Sequence, residues 1–559
     1  TLPSFGSDFQ KSLDQGMVTD DLFPGFARKG GLPRFLGGFL QLVFDPASGR
    51  LLNDPCIDAV FAVRQLTLVF GKIELDTTED RKRAAFAAYV QCEKEVRQSD
   101  FDRSVDLLDR FSAVCSTLYS RGFTLLDDQI RRGEILPSHG PGATADRLVG
   151  NQKFQQSTWT ARLERIFPFV DYALPNYRYW ELAQRVTYLE PRDEIPVKVI
   201  TVPKTLKTPR IIAMEPTHMQ YMQQGIRRLM YDVLEDASGP ARHLVGQIGF
   251  TDQVPNQDMA RIGSLDGSLA TLDLSEASDR VSNQLVRTMF SRFPHLSEAV
   301  DATRSRKADV PGYGVMRLAK FASMGSALCF PVEAMVFLAI VYVAISSELN
   351  RPLSRKDIES FRGRVRVYGD DIIVPVRFAE AVTRYLHAFG LKVNVRKSYW
   401  NGKFRESCGE DFYDGVNVTP VRFRQSWPSH RRDVRSLQAL LSFRNHVYQR
   451  GLWKTAGWLD DKIRPLLGGH YPVVGPEASV LGRVSFLGYE STRMDPHLHN
   501  PQVRGWVVRA PLPQNAVDGV PALLKVLSKQ GVDPLSADHL ERSGRPRAVS
   551  TKLVWSRSY

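Results

Sequence analysis

Hydrophobic and polar positions recur with different periods along the chain, and these periods predict its elements. Apolar residues return at helical spacing from Asp76 to Leu126 and from Met219 to Leu234, and helical spacing also dominates after Thr419. Residues 1 to about 60 are rich in Gly, Pro and Phe and have no regular period. That composition predicts an irregular segment that covers other elements.

The longest apolar run extends from Ala334 to Ile345 and follows Glu333. A helix that spans a bilayer needs about 20 apolar residues, so this shorter run predicts a buried helix of the protein interior. The first ten residues contain no apolar core, and we expect no signal peptide there.

Two short β-branched stretches surround the sequence Tyr368-Gly369-Asp370-Asp371. They predict a hairpin whose tip carries two adjacent carboxylates. Carboxylates that close repel each other unless a cation neutralises them, and a divalent metal with oxygen ligands is the usual solution. Asp-rich turns are also common on protein surfaces, so an ordinary surface hairpin is the alternative for this stretch taken alone.

A second acidic position follows the apolar stretch 269–272. The pattern predicts a buried strand that ends at Asp273, a turn rich in Ser and Asp, and a helix through Leu285 and Met289. A buried aspartate is costly unless it is paired or bound to a cation. One aspartate at a strand end and a hairpin pair of aspartates are what a two-metal site for phosphoryl transfer requires.

Two further stretches add candidate contacts for a nucleotide. In 196–216, strand-like segments flank a turn with Lys204, Lys207 and Arg210. Three cations on one turn suit a triphosphate, and a solvated basic hairpin is the alternative. The small-residue loop 321–333 leads into the apolar helix and would let a nucleotide or template backbone approach closely. An ordinary helix N-terminus is the simpler local interpretation of that loop.

Composition narrows the class of protein. The 559 residues are 43% hydrophobic and 24% charged, with a net charge of +13, which is an ordinary globular composition with a bias towards polyanionic partners. The five cysteines are scattered and lack paired spacing. They argue for a reducing compartment and against a zinc site or a disulfide framework.

In this order the parts resemble the RNA-dependent RNA polymerases of single-stranded RNA bacteriophages, the levivirus-type replicases. The motifs that carry the resemblance are the basic stretch 196–216, the segment Asp273 to Asp279, Ser323-Met324-Gly325 and Tyr368-Gly369-Asp370-Asp371. The likeness continues through 394–398, 404–409 and 412–420. It covers roughly residues 195–425.

The resemblance implies an α+β fold of the right-hand polymerase type, with fingers, a palm of antiparallel sheet backed by helices, and a mostly helical thumb. The expected division is 1–195 for an N-terminal region and fingers, 196–262 for fingers with the nucleotide-entry motif, 263–425 for a palm with a finger insertion near 283–320, and 426–559 for the thumb and C-terminal tail.

The resemblance also implies roles for individual residues. Asp273 and Asp370 are the expected bridging ligands of two Mg²⁺ ions, with Asp371 as a secondary ligand and with Mn²⁺ or Ca²⁺ as substitutes. Lys397 is the candidate general acid towards pyrophosphate. The residues expected to bind the incoming nucleotide are Lys198, Lys204, Lys207, Arg210, Asp279, Ser323, Gly325 and Ser326.

This chain departs from the family pattern just after Ser323-Met324-Gly325. The best-known phage replicases carry Asn, Gly and, further along, Thr where this chain has Ser326, Ala327 and Cys329. In related polymerases that Asn helps to read the ribose 2′-hydroxyl. Here Ser326 offers one hydrogen bond, and Asp279 or Ser278 offers others.

Basic residues outside the motifs suit contact with an RNA backbone. In the insertion they are Arg287, Arg292, Arg304, Arg306, Lys307, Arg317 and Lys320, and in the thumb they are Arg431, Arg432, Arg435, Arg444 and Arg450. A solvated basic face is the alternative for the thumb. The tail carries Arg545, Arg547, Lys552 and Arg557 beside Trp555 and Tyr559, which fits either single-stranded RNA or a frayed end.

The resulting hypothesis is template-directed RNA synthesis on an RNA template by two-metal nucleotidyl transfer, in the cytoplasm of a bacterial host. The expected partners are RNA, nucleoside triphosphates and, by the resemblance, bacterial elongation factors Tu and Ts and a ribosomal protein, with no membrane. The alternatives are a reverse-transcriptase-like palm polymerase and a non-catalytic RNA-binding or virion structural protein.

Overall fold

A computed structural model describes residues 1–140, 142–204, 208–510, 518–529 and 549–559. Helices form much of this part of the chain. In chain order they are α1 Leu2–Gln15, α2 Gly37–Leu40, α3 Ile57–Leu68, α4 Glu79–Asp102, α5 Val105–Arg131, α6 Ala161–Ile166, α7 Phe169–Tyr172, α8 Trp180–Ala183, α9 Thr217–Glu235, α10 Val254–Asp266, α11 Asn283–Phe290, α12 Pro294–Thr303, α13 Cys329–Glu348, α14 Arg355–Ser360, α15 Ala379–Ala388, α16 Val434–Gln449, α17 Trp453–Leu466 and α18 Gly519–Leu527.

Short strands are distributed among these helices. They are β1 Arg28–Lys29, β2 Leu32–Pro33, β3 Thr158–Thr160, β4 Thr187–Leu189, β5 Val197–Val202, β6 Arg210–Met214, β7 Leu269–Leu272, β8 Leu274–Ser275, β9 Lys307–Val310, β10 Gly314–Arg317, β11 Arg366–Tyr368, β12 Asp371–Pro375, β13 Lys392–Val393, β14 Phe404–Ser407, β15 Glu410–Tyr413, β16 Val416–Asn417, β17 Arg493–Met494, β18 Pro501–Arg509 and β19 Ser550–Arg557. The architecture is α+β, as predicted.

A small antiparallel sheet lies at the centre of the molecule, in the order β11-β12-β7. Isolated bridges extend it on both sides, because Ile248 pairs with Val367 of β11 and Tyr399 pairs with Thr271 of β7. The side chains of β7 and most of β12 are buried. Both strands therefore read as continuous apolar runs, since helices and loops cover both faces of the sheet.

Helix α13 packs against this sheet and contributes many side chains to the largest hydrophobic core. It has 20 residues where the apolar run predicted twelve, and nearly every side chain from Cys329 to Ile345 is buried. Helices α5 and α15 both pack against it. The prediction of a buried helix is confirmed.

Of the described helices, α13 alone has the length and composition of a membrane span. Its mean hydropathy is 2.1, and 89% of that stretch is buried in the protein. A helix at the centre of a large protein core has the same properties, so length and hydropathy are weak evidence for a membrane span here.

The first 60 residues differ from the prediction of an irregular segment. They begin with the 14-residue helix α1, which buries Phe5, Phe9 and Leu13. These side chains join Tyr399 and Phe404 in a second hydrophobic core. The helix was missed because its apolar positions are interrupted by Gly, Ser and Asp, some of which are themselves buried.

The predicted helices elsewhere are confirmed. Helices α4 and α5 occupy the first helical stretch, α9 occupies the second, and α16 and α17 pair after Thr419. Beyond them the chain forms a three-stranded sheet, β17-β18-β19, which the sequence did not predict. The frayed-end interpretation of the tail is wrong for Ser550–Arg557, which pairs along its length with β18. Arg545 and Arg547 lie outside the described residues.

Candidate active site

Strand pairing brings the predicted carboxylates together at one edge of the central sheet. Strands β11 and β12 form the predicted hairpin, with Tyr368 opposite Asp371 and a two-residue turn at Gly369 and Asp370. Strand β7 pairs antiparallel with β12, with Leu272 opposite Ile372. One further step in the same register sets Asp273 beside Asp371. The strand end and the hairpin tip therefore meet, as expected.

The turn requires glycine at its first position. Gly369 has a φ of +59°, whereas Asp370 has a negative φ, which is the pattern of a type II′ turn. A Cβ added to Gly369 would lie 2.4 Å from Cε2 of Phe330. Close packing and backbone conformation thus both restrict this position, and they hold the exposed Asp370 at the tip.

Two residues that the sequence did not single out orient Asp273. The side-chain amide of Asn394 donates to Asp273 Oδ2 at 2.9 Å, and the Asn394 backbone N–H donates to the Asp273 carbonyl at 2.8 Å. The hydroxyl of Ser398 accepts from the Asp273 backbone N–H at 3.1 Å. Both belong to 394–398, a segment that resembles the family and in which only Lys397 had an expected role, and only tertiary structure brings them to Asp273.

Asp371 is held from the β14–β15 turn. Its Oδ1 accepts from the Ser407 hydroxyl at 3.3 Å and from the Cys408 backbone N–H at 3.2 Å. Burial, and next the carboxylate of Asp370, raise the pKa of Asp371 to about 6. With Oδ1 occupied in this way, Asp371 is less free to bind a cation than the exposed Asp370.

Two lysines face these carboxylates. Loss of hydration works against the charge of Lys397, but Asp273 and other nearby carboxylates outweigh it and raise the pKa of the lysine. The pKa of Lys204 is lowered by loss of hydration and by Arg210 and Lys397, with Asp370 and Asp273 opposing. Asp273 itself has a raised pKa, chiefly through burial. Cations from two separate segments therefore share one electrostatic environment with the acidic group.

The donor set fits a divalent cation in chemistry, since carboxylate oxygens are the ligands that Mg²⁺ prefers. Burial is the main cause of the raised pKa values of Asp273 and Asp371, and the Asp370 carboxylate adds a like-charge repulsion to both that a cation would relieve. Among the residues that the structure describes, no three His, Cys, Asp or Glu side chains already have the arrangement of a metal site. The carboxylates are thus close to one another without being drawn to a common point.

The basic hairpin is formed by β5 and β6. Lys198 lies opposite Met214 and Arg210 lies opposite Val202. Alternation along the strands puts both cations on the same face, opposite the buried Val199. Arg210 and Lys204 are exposed at the turn end, and Lys198 lies towards the other end of β5. Lys207 falls outside the described residues.

The small-residue loop before α13 is fixed against this hairpin. Gly325 has a φ of +132°, and a Cβ there would lie 1.9 Å from the carbonyl oxygen of Ala213 in β6. The Ala213 N–H donates to the Met324 carbonyl at 2.8 Å. Gln223 accepts from the Ser326 hydroxyl at 3.2 Å and from the Ala327 N–H at 3.1 Å. Nothing in the sequence pattern distinguished Gln223 from its helical neighbours.

The Ser/Asp-rich turn after Asp273 meets the same loop. Asp279 Oδ1 accepts from the Ser323 hydroxyl at 2.8 Å and from Lys320 Nζ at 3.3 Å. Ser278 hydrogen-bonds the carboxyl group of Glu333 instead. Of the two candidates named for the ribose, Asp279 is thus the one joined to Ser323.

Two carboxyl groups with raised pKa values near the site were not predicted. Burial, and then Asp411, raise the pKa of Glu406 to about 7, with Lys397 and Asp273 among its charged neighbours. Burial raises the pKa of Glu333 to about 8, and Asp370 adds to this shift. Neither was detectable from the sequence, because each lies in a stretch that reads as an ordinary strand or helix start.

Three basic residues expected to face RNA are structural. Arg304 is buried and donates to the carbonyls of Phe321, Leu318 and Lys320. Lys320 is fully buried. Arg444 is buried in a two-bond ion pair with Asp460 of α17. The sequence pattern cannot separate a buried arginine from an exposed one on a basic helix.

Comparison with known protein families gives a match over the same region. Residues 188–465 match the family model described as RNA replicase, beta-chain. The RNA-directed RNA polymerase beta chain of Escherichia phage MS2 is 36% identical over 263 residues, which are 47% of this chain and 42% of that protein. The polymerase beta subunit of Enterobacteria phage SP is 34% identical over 66% of this chain and 61% of its own length. The beta subunit of Escherichia virus Qbeta is 32% identical over 51% of this chain and 44% of its own length. The matched part therefore spans less than two thirds of each relative.

Solved structures give weaker likenesses. The RNA-dependent RNA polymerase of a human picorbirnavirus aligns over 49% of this chain and 57% of its own, with 12% identity and a TM-score of 0.36. The BmCPV RNA-dependent RNA polymerase at the elongation state aligns over 63% of this chain and 33% of its own, with 12% identity and a TM-score of 0.37. These scores are too low to add to the assignment, which rests on the sequence match at 188–465. On that match, residues 188–465 of the chain are similar to the RNA replicase beta-chain family.

Proposed function

We propose that this chain is an RNA-directed RNA polymerase that copies RNA templates during bacteriophage genome replication. The observation that carries the proposal is the register of β7 and β12, which sets Asp273 beside the Asp370-Asp371 tip. The similarity of residues 188–465 to the replicase family supports the same activity, and the names of the phage relatives state it for those proteins.

Divalent metal use is general to this family, and two Mg²⁺ ions would activate the attacking 3′-hydroxyl and neutralise the leaving pyrophosphate. Asp273 and Asp370 are the proposed bridging ligands because Asp370 is exposed and Asp273 is held in place by Asn394. Asp371 is the proposed lesser ligand, since its Oδ1 already accepts two hydrogen bonds.

The proposed nucleotide contacts surround these carboxylates. Lys204 and Arg210 are exposed at one end of the β5–β6 hairpin, and electrostatic coupling of Lys204 to Asp370 supports a position over the triphosphate. Lys198 is the weaker candidate because it lies about four residues back along the strand, or roughly 13 Å. Lys397 stays protonated at neutral pH, since nearby carboxylates raise its pKa. It is therefore able to donate a proton to the leaving pyrophosphate.

The proposed thumb, 426–559, carries a surface suited to single-stranded bases. Trp427 and Trp458 are 45% and 54% exposed, with ring centroids 6.0 Å apart. The Lys462 ammonium lies 5.6 Å from the Trp458 ring. Exposed aromatic rings beside cations are typical of surfaces that stack nucleic acid bases. The proposed division into fingers, palm and thumb keeps the boundaries given above.

The decisive experiment is templated nucleotide incorporation by the purified chain with Mg²⁺, comparing wild type with Asp370→Asn. We expect the variant to lose incorporation by at least about two orders of magnitude, because a charged ligand becomes a neutral amide. RNA affinity should hardly change, since no basic side chain that could contact the RNA backbone is replaced. Asp258→Asn, an exposed carboxylate on α10, is the matched control and should keep full activity.

Each outcome separates the proposal from its alternatives. Incorporation that survives Asp370→Asn contradicts the site assignment. Preference for deoxyribonucleotides would favour a reverse-transcriptase-like enzyme, and Mg²⁺-independent RNA binding without synthesis would favour a structural RNA-binding protein.

The proposed setting is the cytoplasm of a bacterial host, consistent with the phage origin of the relatives. By family resemblance, the proposed partners also include elongation factors Tu and Ts and a ribosomal protein. Purification of the chain from a bacterial host, followed by identification of co-purifying proteins, tests this part independently of the catalytic site.

A further inference from the structure

Tyr89 lies in α4, outside the segment 188–465 that matches the replicase family. Its side chain is buried, with 3% of the residue exposed, and its hydroxyl lies 2.9 Å from the hydroxyl of Ser323. A residue from the unmatched part of the chain thus contacts the loop proposed to sense the nucleotide.

The contact is part of a closed ring of four side chains. Ser323 donates to Asp279 Oδ1, which also accepts from Lys320 Nζ. The ring closes because the Lys320 ammonium lies 3.7 Å from the centroid of the Tyr89 ring. Lys320 is fully buried. A buried ammonium is costly unless it is paired, and here Asp279 and the face of Tyr89 supply that pairing.

Two neighbours of Tyr89 on the same helix strengthen this attachment. The Glu93 carboxylate accepts from the backbone N–H groups of Ala319 and Lys320. The Cys92 thiol donates to the Asp279 carbonyl at 3.4 Å. Positions 89, 92 and 93 lie on one face of a helix. That face therefore joins both segments of the proposed sugar site.

The ring leaves one acceptor of Asp279 open. Ser323 and Lys320 both donate to Oδ1, and among the described residues none donates to Oδ2. The Asp279 side chain is 23% exposed. Ser326, which stands where related replicases carry Asn, directs its hydroxyl to Gln223. A ribose hydroxyl would thus find its charged acceptor at Asp279.

We propose that Tyr89 and Lys320 are positioning residues that orient Asp279 and Ser323 towards the ribose of the incoming nucleotide, and that they thereby set the preference for ribo- over deoxyribonucleotides. This inference rests on the proposed polymerase function. It assigns sugar selection partly to α4, which packs against the proposed palm from the N-terminal region.

The test is Tyr89→Phe, which keeps the ring over Lys320 and removes only the hydroxyl. The measurement is kcat/KM for each nucleoside triphosphate and its 2′-deoxy counterpart on the same RNA template. We expect the ratio of the two values to fall roughly three- to tenfold, the effect of one lost hydrogen bond. Tyr385→Phe is the matched control, because it deletes a Tyr–Ser hydrogen bond of 2.7 Å between α15 and α13. Its ratio should stay at the wild-type value.

A double-mutant cycle with Ser323→Ala separates positioning from general destabilisation. If Tyr89 acts through Ser323, adding Tyr89→Phe to Ser323→Ala should change the ratio no further. Equal losses with both sugars, or a full additional loss in the double variant, would overturn the inference while leaving the polymerase proposal intact. Absence of incorporation by the wild type with either sugar overturns both.

Discussion

Glu333 is a buried carboxyl group near the start of α13. Ser278 hydrogen-bonds it, and the Cys329 thiol lies 3.9 Å from its Oε2. Burial raises its pKa to about 8, so the folded protein holds the protonated form at neutral pH. An acidic residue at this place is therefore a neutral hydrogen-bonding group in the folded state.

This protonation makes stability depend on pH in a defined direction. Between pH 4.5 and about 8 the unfolded chain loses the Glu333 proton while the folded chain keeps it. The free energy of unfolding therefore falls as pH rises, by about 1.4 kcal/mol per pH unit from this group. Below pH 4.5 both states are protonated and the dependence disappears.

Glu333→Gln should remove that dependence. The variant should match the wild type near pH 5 and be more stable than the wild type at pH 8, by urea unfolding at each pH. Glu359→Gln, at an exposed position on α14, is the control and should follow the wild-type profile. Parallel profiles of Glu333→Gln and wild type would show that Glu333 is ionised in the folded protein.

Sequence reasoning reached the acidic residues but not their supports. Asp273, Asp370 and Asp371 could be predicted from the sequence because an acidic residue at a strand end or turn stands out from its apolar neighbours. Asn394 and Gln223 do not stand out from their sequence neighbours in this way, and their contacts join segments far apart in the chain. Such pairings depend on tertiary packing, which no local period encodes.

At the scale of elements, the β11–β12 hairpin depends on a glycine in two ways. An L side chain at Gly369 would be strained by the positive φ, at a cost of about 1–2 kcal/mol. It would also collide with Phe330. The tip that carries Asp370 is thus fitted against the start of α13.

The two effects can be separated by a matched pair of variants. Gly363 also has a positive φ, +74°, but a Cβ there meets nothing within 4 Å. Gly363→Ala should therefore lose only the strain energy. Gly369→Ala should lose more stability, and activity with it, as measured by thermal unfolding and nucleotide incorporation. Equal losses of stability would mean that Phe330 moves aside at no cost.

Helices α16 and α17 show where a pattern of elements misleads. The basic positions of α16 predicted a surface for RNA, yet Arg444 points inward to Asp460 while Arg435 on the same helix is exposed. Helical periodicity gave the helices correctly. It could not show that one arginine is the partner of a buried aspartate on the next helix.

At the scale of the whole molecule, the N-terminal part that precedes the family match packs against residues 188–465, which the match covers. Arg64 of α3 is fully buried, pairs with the buried Asp411 of β15 and donates to the Val418 carbonyl at 3.0 Å. It also stacks over Phe404. The first 70 residues are therefore structurally continuous with the strands that follow the candidate site.

Arg64→Ala should destabilise the protein by about 3–5 kcal/mol, because Asp411 is left as a buried unpaired charge. The measurement is chemical unfolding followed by tryptophan fluorescence and circular dichroism. Arg83→Ala removes an exposed ion pair with Asp80 and should cost less than about 1 kcal/mol. A stability loss at Arg64 no larger than at Arg83 would contradict the joint core.

Helix α13 also bears on how the protein is made. During synthesis the 20 residues of α13 emerge after α5 but before α15, so for a time α13 lacks one of the helices that pack against it. Until α15 follows, the nascent chain presents a segment with the hydropathy of a membrane span. Rapid docking of α13 on α5 is then a requirement of biogenesis, and slow translation just after Glu348 would prolong the exposure that leads to aggregation.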